Sequence, residues 1–475
     1  MPGPFPTKSV VLQPSDGTDG LVPQTEALRV NIPNGFPANI WGTDASGNHV
    51  QGPVPWGAAR NPNLLATYGD SLAASLTVDT SLKQNLGANA PINWVNVRGG
   101  GNLRFVTLNN GNFGVSGQRS DQILARLPDV MASGAGTVII YAGTNDIAQN
   151  YPTAGTAAAT AAANIMLMAR SIVASGAQVV IELPVGSTSW TAAQIGANYE
   201  LHQRLREFSE GTPNVYLHDA TPTVMDTSSS STTALVAQAN RLYDATHPNG
   251  LGAYYWSKSL GALLDKITRP FPRMSHMLAS DAQASAYITN GLFLTQTGGT
   301  NSIGAALTSG AVPGSWTLIR SGSPTVDIAY GTDNGTATDP SIGAKVILTI
   351  AFTAANEYVR LYQDLVPPRL NIGDVLELGA RHRVTSGMAM LTSSRLHAPV
   401  QVDGVTRDWY SMIEGGAAQY GPDEAYQADH RIGPLTVWPG TTMNYLSFRH
   451  QITARAAGTV VVEISRAGIR KRIAA

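Results

Sequence analysis

The sequence predicts a two-part chain: an α/β domain with a parallel sheet covered by helices on both faces, then an all-β sandwich. Three observations predict it. Between about 61 and 268, short apolar runs alternate with stretches of helical periodicity, as expected of parallel strands joined by crossover helices. Past Thr268-Arg269-Pro270-Phe271-Pro272-Arg273 that periodicity stops, and short β runs recur between Gly and Pro turns. With 475 residues, 48 of them Gly and 28 Pro, the chain is too long for one ordinary core and rich in turns.

Residues 1–60 hold only brief β-like runs, such as Val10-Val11-Leu12 and Leu28-Arg29-Val30-Asn31-Ile32, with turns at Pro33-Asn34-Gly35 and Ala45-Ser46-Gly47-Asn48. This β-rich segment is too small for a core of its own. It is expected to pack on the next domain or to attach the chain to a larger assembly. In the second region, 61–268, strands are predicted over 64–68, 93–97, 137–141, 178–183 and 214–217. Helices are predicted over 121–131, 156–175, 192–208 and 252–267. The polar run Thr227-Ser228-Ser229-Ser230-Ser231-Thr232-Thr233 reads as a solvated connection. Residues 269–273 form a linker. In the sandwich, 274–475, strands are predicted over 316–320, 346–351, 358–362, 375–378, 443–448 and 460–464. Arg470-Lys471-Arg472 reads as a solvated tail.

Composition removes several functions. A net charge of −1 gives no electrostatic case for nucleic acid or an anionic membrane as partner. With no cysteine there is no disulfide, no thiolate metal site and no cysteine nucleophile. Met1-Pro2-Gly3-Pro4-Phe5-Pro6 has neither the basic region nor the apolar core of a signal peptide, and no stretch reads as a membrane span.

Four short stretches carry chemistry. Leu64-Leu65-Ala66-Thr67-Tyr68 ends abruptly in Gly69-Asp70-Ser71-Leu72, which puts Ser71 at a strand-to-helix corner. A serine there is, taken alone, an ordinary helix cap. Asn112-Phe113-Gly114-Val115-Ser116-Gly117-Gln118 is a Gly-punctuated loop before a helix, and Gly143-Thr144-Asn145-Asp146 directly follows a strand. Asp244-Ala245-Thr246-His247-Pro248-Asn249 precedes the last helix of the domain. Loops after successive parallel strands gather at one sheet edge, so these four can meet. Together they hold the parts of an acyl-transfer site. Ser71 is the candidate nucleophile and His247 the base, since an imidazole exchanges protons near neutral pH. Asp244 is the group that orients it. The backbone N–H groups of Ser71 and Gly117 and the Asn145 amide are candidate oxyanion donors. No Gly-x-Ser-x-Gly elbow and no His-Glu-x-x-His is present, against an α/β-hydrolase or a zinc protease.

These four stretches resemble the blocks of the GDSL esterase/lipase family, the SGNH hydrolases. Gly69-Asp70-Ser71-Leu72 is similar to the first block, 112–117 to the second, Gly143-Thr144-Asn145-Asp146 to the third and Asp244-Ala245-Thr246-His247-Pro248 to the Asp-x-x-His block. The resemblance covers 64–267. It implies a flavodoxin-like three-layer α/β/α fold and serine hydrolase activity with no cofactor or metal. It also implies the roles just given for Ser71, Asp244, His247, Gly117 and Asn145. Gln118 departs from the acidic residue common after the second-block glycine, and Arg98-Gly99-Gly100-Gly101-Asn102-Leu103 lengthens the approach to that loop.

The stretch from Asn290-Gly291-Leu292-Phe293 to Gly314-Ser315-Trp316 opens like a carbohydrate-binding, jelly-roll-like sandwich. Trp316, Trp409, Tyr410 and Trp438 are its candidate sugar platforms, with core packing the competing role for each. The expected function is a serine esterase removing short acyl groups, acetyl foremost, from an acylated polysaccharide. A general carboxylesterase or lipase with a structural β-domain, and a glycan-binding or structural virion protein with a vestigial site, stay open. Enzyme domains flanked by β-modules resemble bacteriophage tail proteins that act on bacterial surface glycans. That likeness predicts a homotrimer, or attachment through the N-terminal segment, facing the outside of a cell.

Overall fold

The computed structural model describes residues 38–43, 49–54, 60–79, 85–100, 103–106, 108–269, 287–335, 339–367, 370–412 and 421–472. The runs at 10–12 and 28–32, most of the linker, Gly101 and Asn102 lie outside them. Strands β1 (Ala38–Thr43) and β2 (His49–Val54) pair antiparallel, as do β4 (Thr77–Asp79) and β5 (Asn85–Leu86).

The first large sheet is parallel. It takes β3 (Leu64–Gly69), β6 (Arg104–Phe105), β7 (Asn112–Gly114), β8 (Thr137–Tyr141), β9 (Gln178–Glu182) and β10 (Val215–His218) in the order β10-β9-β8-β3-β6, with β7 also beside β3. The order, with the first strand between the second and third, is the flavodoxin-like one. β8 is buried at every position and β9 at all but its first, as strands covered on both faces must be. The covering helices are α1 (Ser71–Ala74), α2 (Pro91–Arg98), α3 (Ser120–Ala125), α4 (Leu127–Ala132), α5 (Thr144–Ala148), α6 (Ala157–Ala174), α7 (Ala192–Glu210), α8 (Thr221–Val224) and α9 (Gly250–Ile267). α6 is long and apolar enough to cross a membrane by length and composition, which the sequence reading overlooked. Its Ala158, Ala161, Ala162, Ile165, Met168, Ala169 and Ile172 are instead buried in the core of the α/β domain.

Two expected elements differ. Residues 93–97 are helix α2, not a strand. Pro91 stands at its first turn, where a missing N–H costs nothing, and seven of its eight residues are buried. Such all-round burial removes the 3.6-residue apolar stripe by which a helix is read. Within it Asn93 donates to the Leu76 and Gly87 carbonyls at 3.0 and 2.8 Å, and Trp94 to the Ala88 carbonyl at 2.8 Å. The helix expected over 121–131 is broken into α3 and α4 at Arg126, just before Pro128.

The second half is a sandwich of two six-stranded sheets. One runs β11 (Thr300–Asn301), β13 (Thr317–Ser321), β16 (Tyr358–Leu365), β21 (Met443–Ala454), β18 (Leu391–Val402) and β19 (Val405–Tyr410). The other runs β12 (Leu307–Ser309), β14 (Thr325–Thr332), β15 (Ala344–Phe352), β22 (Gly458–Arg472), β17 (Val375–Ser386) and β20 (Tyr426–Thr436). β15 alternates strictly, turning Val346, Leu348 and Ile350 inward. The middle of β17 and of β20 is buried on both faces because charged side chains pair there. Arg381 bonds Asp429 at 2.9 Å and also Asp339, and Arg466, fully buried, binds Asp333 and Asp339 at 2.5 Å. Arg470-Lys471-Arg472 is no solvated tail. It closes β22, with Arg470 on Glu377 and Lys471 on Asp374 at 2.6 Å.

The halves share a core. Trp94 of α2 meets Tyr254 of α9 and Tyr426 of β20 edge-on, at 5.4 and 5.9 Å between ring centroids. Around them Tyr254 donates to Glu424 at 2.5 Å, Tyr255 to Asp423 at 2.7 Å, and Lys258 pairs with Glu424 at 2.5 Å.

Candidate active site

The strand order switches at β3, with β6 and β7 on one side and β8 on the other. A crevice in such a sheet opens beyond the carboxyl ends of the strands at that switch. The register puts Gly69 beside both Gly114 and Tyr141, so the chain segments leading to Ser71, Gly117 and Asn145 leave one row of the sheet together. Close approach demands the glycines. A Cβ on Gly69 would stand 1.9 Å from the Tyr141 carbonyl oxygen, and one on Gly114 2.1 Å from the Ala74 nitrogen. Ser71 is the first residue of α1, and its neighbour Asp70 is the cap: Asp70 Oδ1 accepts the Leu72 N–H at 3.0 Å.

His247 reaches the same edge from the loop before α9. A bridge between Leu242 and Pro248 closes that loop, and the Tyr243 N–H donates to the His247 carbonyl at 3.0 Å. Asp244 Oδ1 accepts the N–H groups of Thr246 and His247, both at 2.7 Å. Its Oδ2 lies 2.8 Å from His247 Nδ1, and His247 Nε2 lies 2.8 Å from Ser71 Oγ. Burial raises the Asp244 carboxyl, but the two N–H groups and the imidazole outweigh it and hold the group below its ordinary range. An ionised Asp244 accepts Nδ1–H and leaves Nε2 to accept the Ser71 hydroxyl proton. Tyr243 stacks on the imidazole, 5.5 Å between centroids and 15° from parallel.

Among the described residues, the Ser71 and Gly117 N–H groups donate to no protein acceptor. Gly117 stands at φ +79°, with open space where a Cβ would be. Asn145 spends one amide N–H on the Gln118 carbonyl at 2.9 Å, and its other one is free to donate. The arrangement therefore contains a hydroxyl–imidazole–carboxylate chain, and beyond the ends of β3, β7 and β8 three N–H groups with no protein acceptor among the described residues. Among the described residues no group of three or more His, Asp and Glu could hold a metal ion.

Sequence reasoning missed the residues that hold this edge together. Arg126 donates to the Gly69 and Phe113 carbonyls at 3.3 and 3.1 Å and to Gln118 Oε1 at 2.9 Å, tying the Gly117 loop to the end of β3. Gln118, the departure from the family pattern, is thus an anchor. Asp146 accepts the Ser120 N–H and hydroxyl at 2.9 and 2.6 Å, fixing α5 and with it Asn145 against α3. Asp146 closes the third block and Gln118 adjoins the second without either spacing announcing its partner, and Arg126 lies outside every block.

Asp70 has a cost built in. Its Oδ2 is buried without a partner, and so is the Tyr141 hydroxyl. Burial pushes the Asp70 carboxyl up to about 7, with the Leu72 N–H opposing and Asp146 adding to the rise. A carboxyl raised on folding favours the folded state when protonated. Its contribution is therefore complete below the unfolded value near 4 and is lost as pH climbs through about 7. Asp70→Asn keeps a cap acceptor and removes this titration, so above pH 7 it is expected to be more stable than the parent, by up to roughly 4 kcal/mol. Urea melts at pH 5 and 8 check this, and an equal pH dependence in both proteins would refute it.

The four candidate sugar platforms are not open surfaces. Trp316 is fully buried against Phe293 and Phe448, its indole N–H on the Asn290 carbonyl at 3.2 Å, and Trp409 is buried as well. Both are core residues, which corrects the expectation for them. Tyr410 and Trp438 are half-buried and already in contact. Tyr410 stacks on His397 at 4.3 Å with Arg395 at 4.6 Å, and Trp438 packs on the core with Arg407 at 4.6 Å from its ring.

Residues 67–254 match the GDSL-like lipase/acylhydrolase family, and the chain carries an ester-hydrolysing domain of that family. None of the curated proteins matches the chain. Among solved structures it is similar to an acetylxylan esterase of Geobacillus stearothermophilus, at 15% identity and TM-score 0.35 over 44% of this chain and 98% of that one. It is also similar to a GDSL-like lipase of Bacteroides thetaiotaomicron, at 19% identity and TM-score 0.30 over 43% and 89%. The tailspike protein 4 enzymatically active domain of bacteriophage CBA120 follows at 11% identity and TM-score 0.24, over 39% and 21%. Likenesses this distant do not bear on the substrate.

Proposed function

We propose that the chain is a serine esterase that removes short acyl groups, acetyl foremost, from a polysaccharide. The observation that carries the reading is the unbroken chain from Asp244 through His247 to Ser71, with both links at 2.8 Å. Ser71 Oγ attacks the ester carbonyl carbon while its proton passes to His247 Nε2. The oxyanion is held by the N–H groups of Ser71 and Gly117 and by Asn145. His247 then gives the proton to the departing sugar hydroxyl, leaving an acyl-serine that water hydrolyses by the same route. An open site supports a polymeric substrate: the His247 and Asp244 side chains are 26% and 45% exposed, so an ester borne on a long chain can be laid across them.

The test has two arms. Turnover of p-nitrophenyl acetate, butyrate and octanoate is expected to fall with acyl length and to vanish in Ser71→Ala; Ser71-independent turnover ends the esterase reading. Acetate release from acetylated xylan and acetylated polygalacturonate is expected as well. Turnover of the nitrophenyl esters without release from either polymer would make the chain a general carboxylesterase.

A further inference from the structure

The sandwich carries a basic face that the proposed reaction does not use. Alternation along β16 turns Tyr358, Arg360, Tyr362 and Asp364 outward, while Val359, Leu361 and Leu365 face the core. Register then aligns Arg360 with Gln451 and Gln451 with Arg395, and in the next outward row Tyr362 with Arg449, Arg449 with His397 and His397 with Tyr410. Three arginines from three adjacent strands thus share one outer face.

Each guanidinium is held over a tyrosine: Arg360 over Tyr358 at 4.0 Å, Arg395 over Tyr410 at 4.6 Å and Arg449 over Tyr362 at 5.9 Å. Arg360 also donates to Gln451 at 2.8 Å and Arg449 to Ser447 at 2.9 Å. Among the described residues no carboxylate lies within ion-pair distance of Arg360 or Arg449. Asp408, the acidic group acting on both, is bonded to His397 at 2.7 Å, and Asp364 stands two residues beyond Tyr362. Burial, and after it the charges of Arg449 and Arg395, hold the Arg360 guanidinium below its ordinary pKa. Arg360 and Arg449, like charges side by side with no carboxylate at pairing distance among the described residues, are relieved by an anion.

One arginine of the face also lines a cleft against the α/β half. Arg395 lines this small cleft between the two halves, together with Ser393, Tyr426, Trp94 and Gly250. Gly250 begins α9, three residues after His247, and the Ser393 hydroxyl there is buried without a partner.

We propose that this face binds an acidic polysaccharide, one whose repeating unit carries a carboxylate, and that it holds the polymer whose esters reach Ser71. The proposal rests on the esterase reading for its second half only. Planar guanidinium groups pair with carboxylates in a fork geometry, and tyrosine stacks hold them ready. Nucleic acid fits less well. Cations of the protein itself already occupy these tyrosine faces, so bases have nowhere to stack, and the chain as a whole carries a charge of −1.

The experiment uses the full chain as Ser71→Ala, with affinity electrophoresis in polygalacturonate, in dextran and against a dA20 oligonucleotide. Binding to polygalacturonate that weakens with salt, and no binding to dextran, is expected. Arg360→Gln/Arg449→Gln should bind polygalacturonate at least about tenfold more weakly, and Arg449→Lys should fall between. On an otherwise wild-type chain the double substitution should leave p-nitrophenyl acetate turnover unchanged while raising KM for acetylated polygalacturonate. Equal binding to dextran, tighter binding to the oligonucleotide, or no binding by the parent would each overturn the proposal. Should Ser71-dependent turnover be absent while polygalacturonate still binds, the esterase reading fails and the binding face stands.

Discussion

Ser71→Ala and His247→Ala are each expected to lower kcat on p-nitrophenyl acetate by about 10⁴–10⁶, and the double variant by no more than the worse single one. The two side chains share one proton, at 2.8 Å, so removing either removes the same event. Independent contributions would multiply instead, and a double variant well below both singles would show that the two residues do not act as a unit. Asp244→Asn should cost less than either. Asp244 Oδ1 still has an oxygen to offer the Thr246 and His247 N–H groups, so the loop persists and the loss is confined to orienting the imidazole. With that carboxylate 45% exposed, water replaces part of what it supplies.

The site was legible because its residues sit where local sequence and topology coincide. Gly69, Gly117 and Asn145 lie at strand ends, and a parallel sheet brings such ends together whatever the rest of the chain does. Arg126 was not legible. Its three partners, Gly69, Phe113 and Gln118, come from β3, β7 and the loop after β7, and in sequence it is one arginine inside an apparently continuous helix.

A similar difference separates the two halves of the fold. β8 and β9 read as strands because each has an unbroken apolar centre, Val138-Ile139-Ile140 and Val179-Val180-Ile181, and β15 because it alternates. β18 and β20 were missed because buried ion pairs and histidines interrupt their apolar pattern. In β20 Asp429 pairs with Arg381 and Arg431 with Glu377, and in β18 His397 bonds to Asp408. Burial of charge is affordable only with partners in place, and those partners lie tens of residues away. Trp316 and Trp409 are buried against aromatic neighbours far along the chain or from another strand, and strand register alone sets Arg360, Arg395 and Arg449 on one face, groupings that no spacing along the chain announces.

Asn145→Ala is expected to lower kcat by about 10²–10³ with KM little changed, because the amide serves the oxyanion and the substrate carbonyl only weakly. Its place in the fold makes the loss separable from a folding defect. Asn145 is the second residue of α5, and Asp146 keeps that helix on Ser120 without it. The Gln118 carbonyl it releases belongs to a half-buried residue whose side chain stays on Arg126. Asn145→Asp sharpens the test. It preserves size but sets an acceptor against the Gln118 carbonyl and a negative charge beside the developing oxyanion, so it should be slower than Asn145→Ala. The order parent, then Ala, then Asp follows from the loss of a donor and then the gain of a negative charge, and an Asp variant as fast as Ala would remove Asn145 from the oxyanion site.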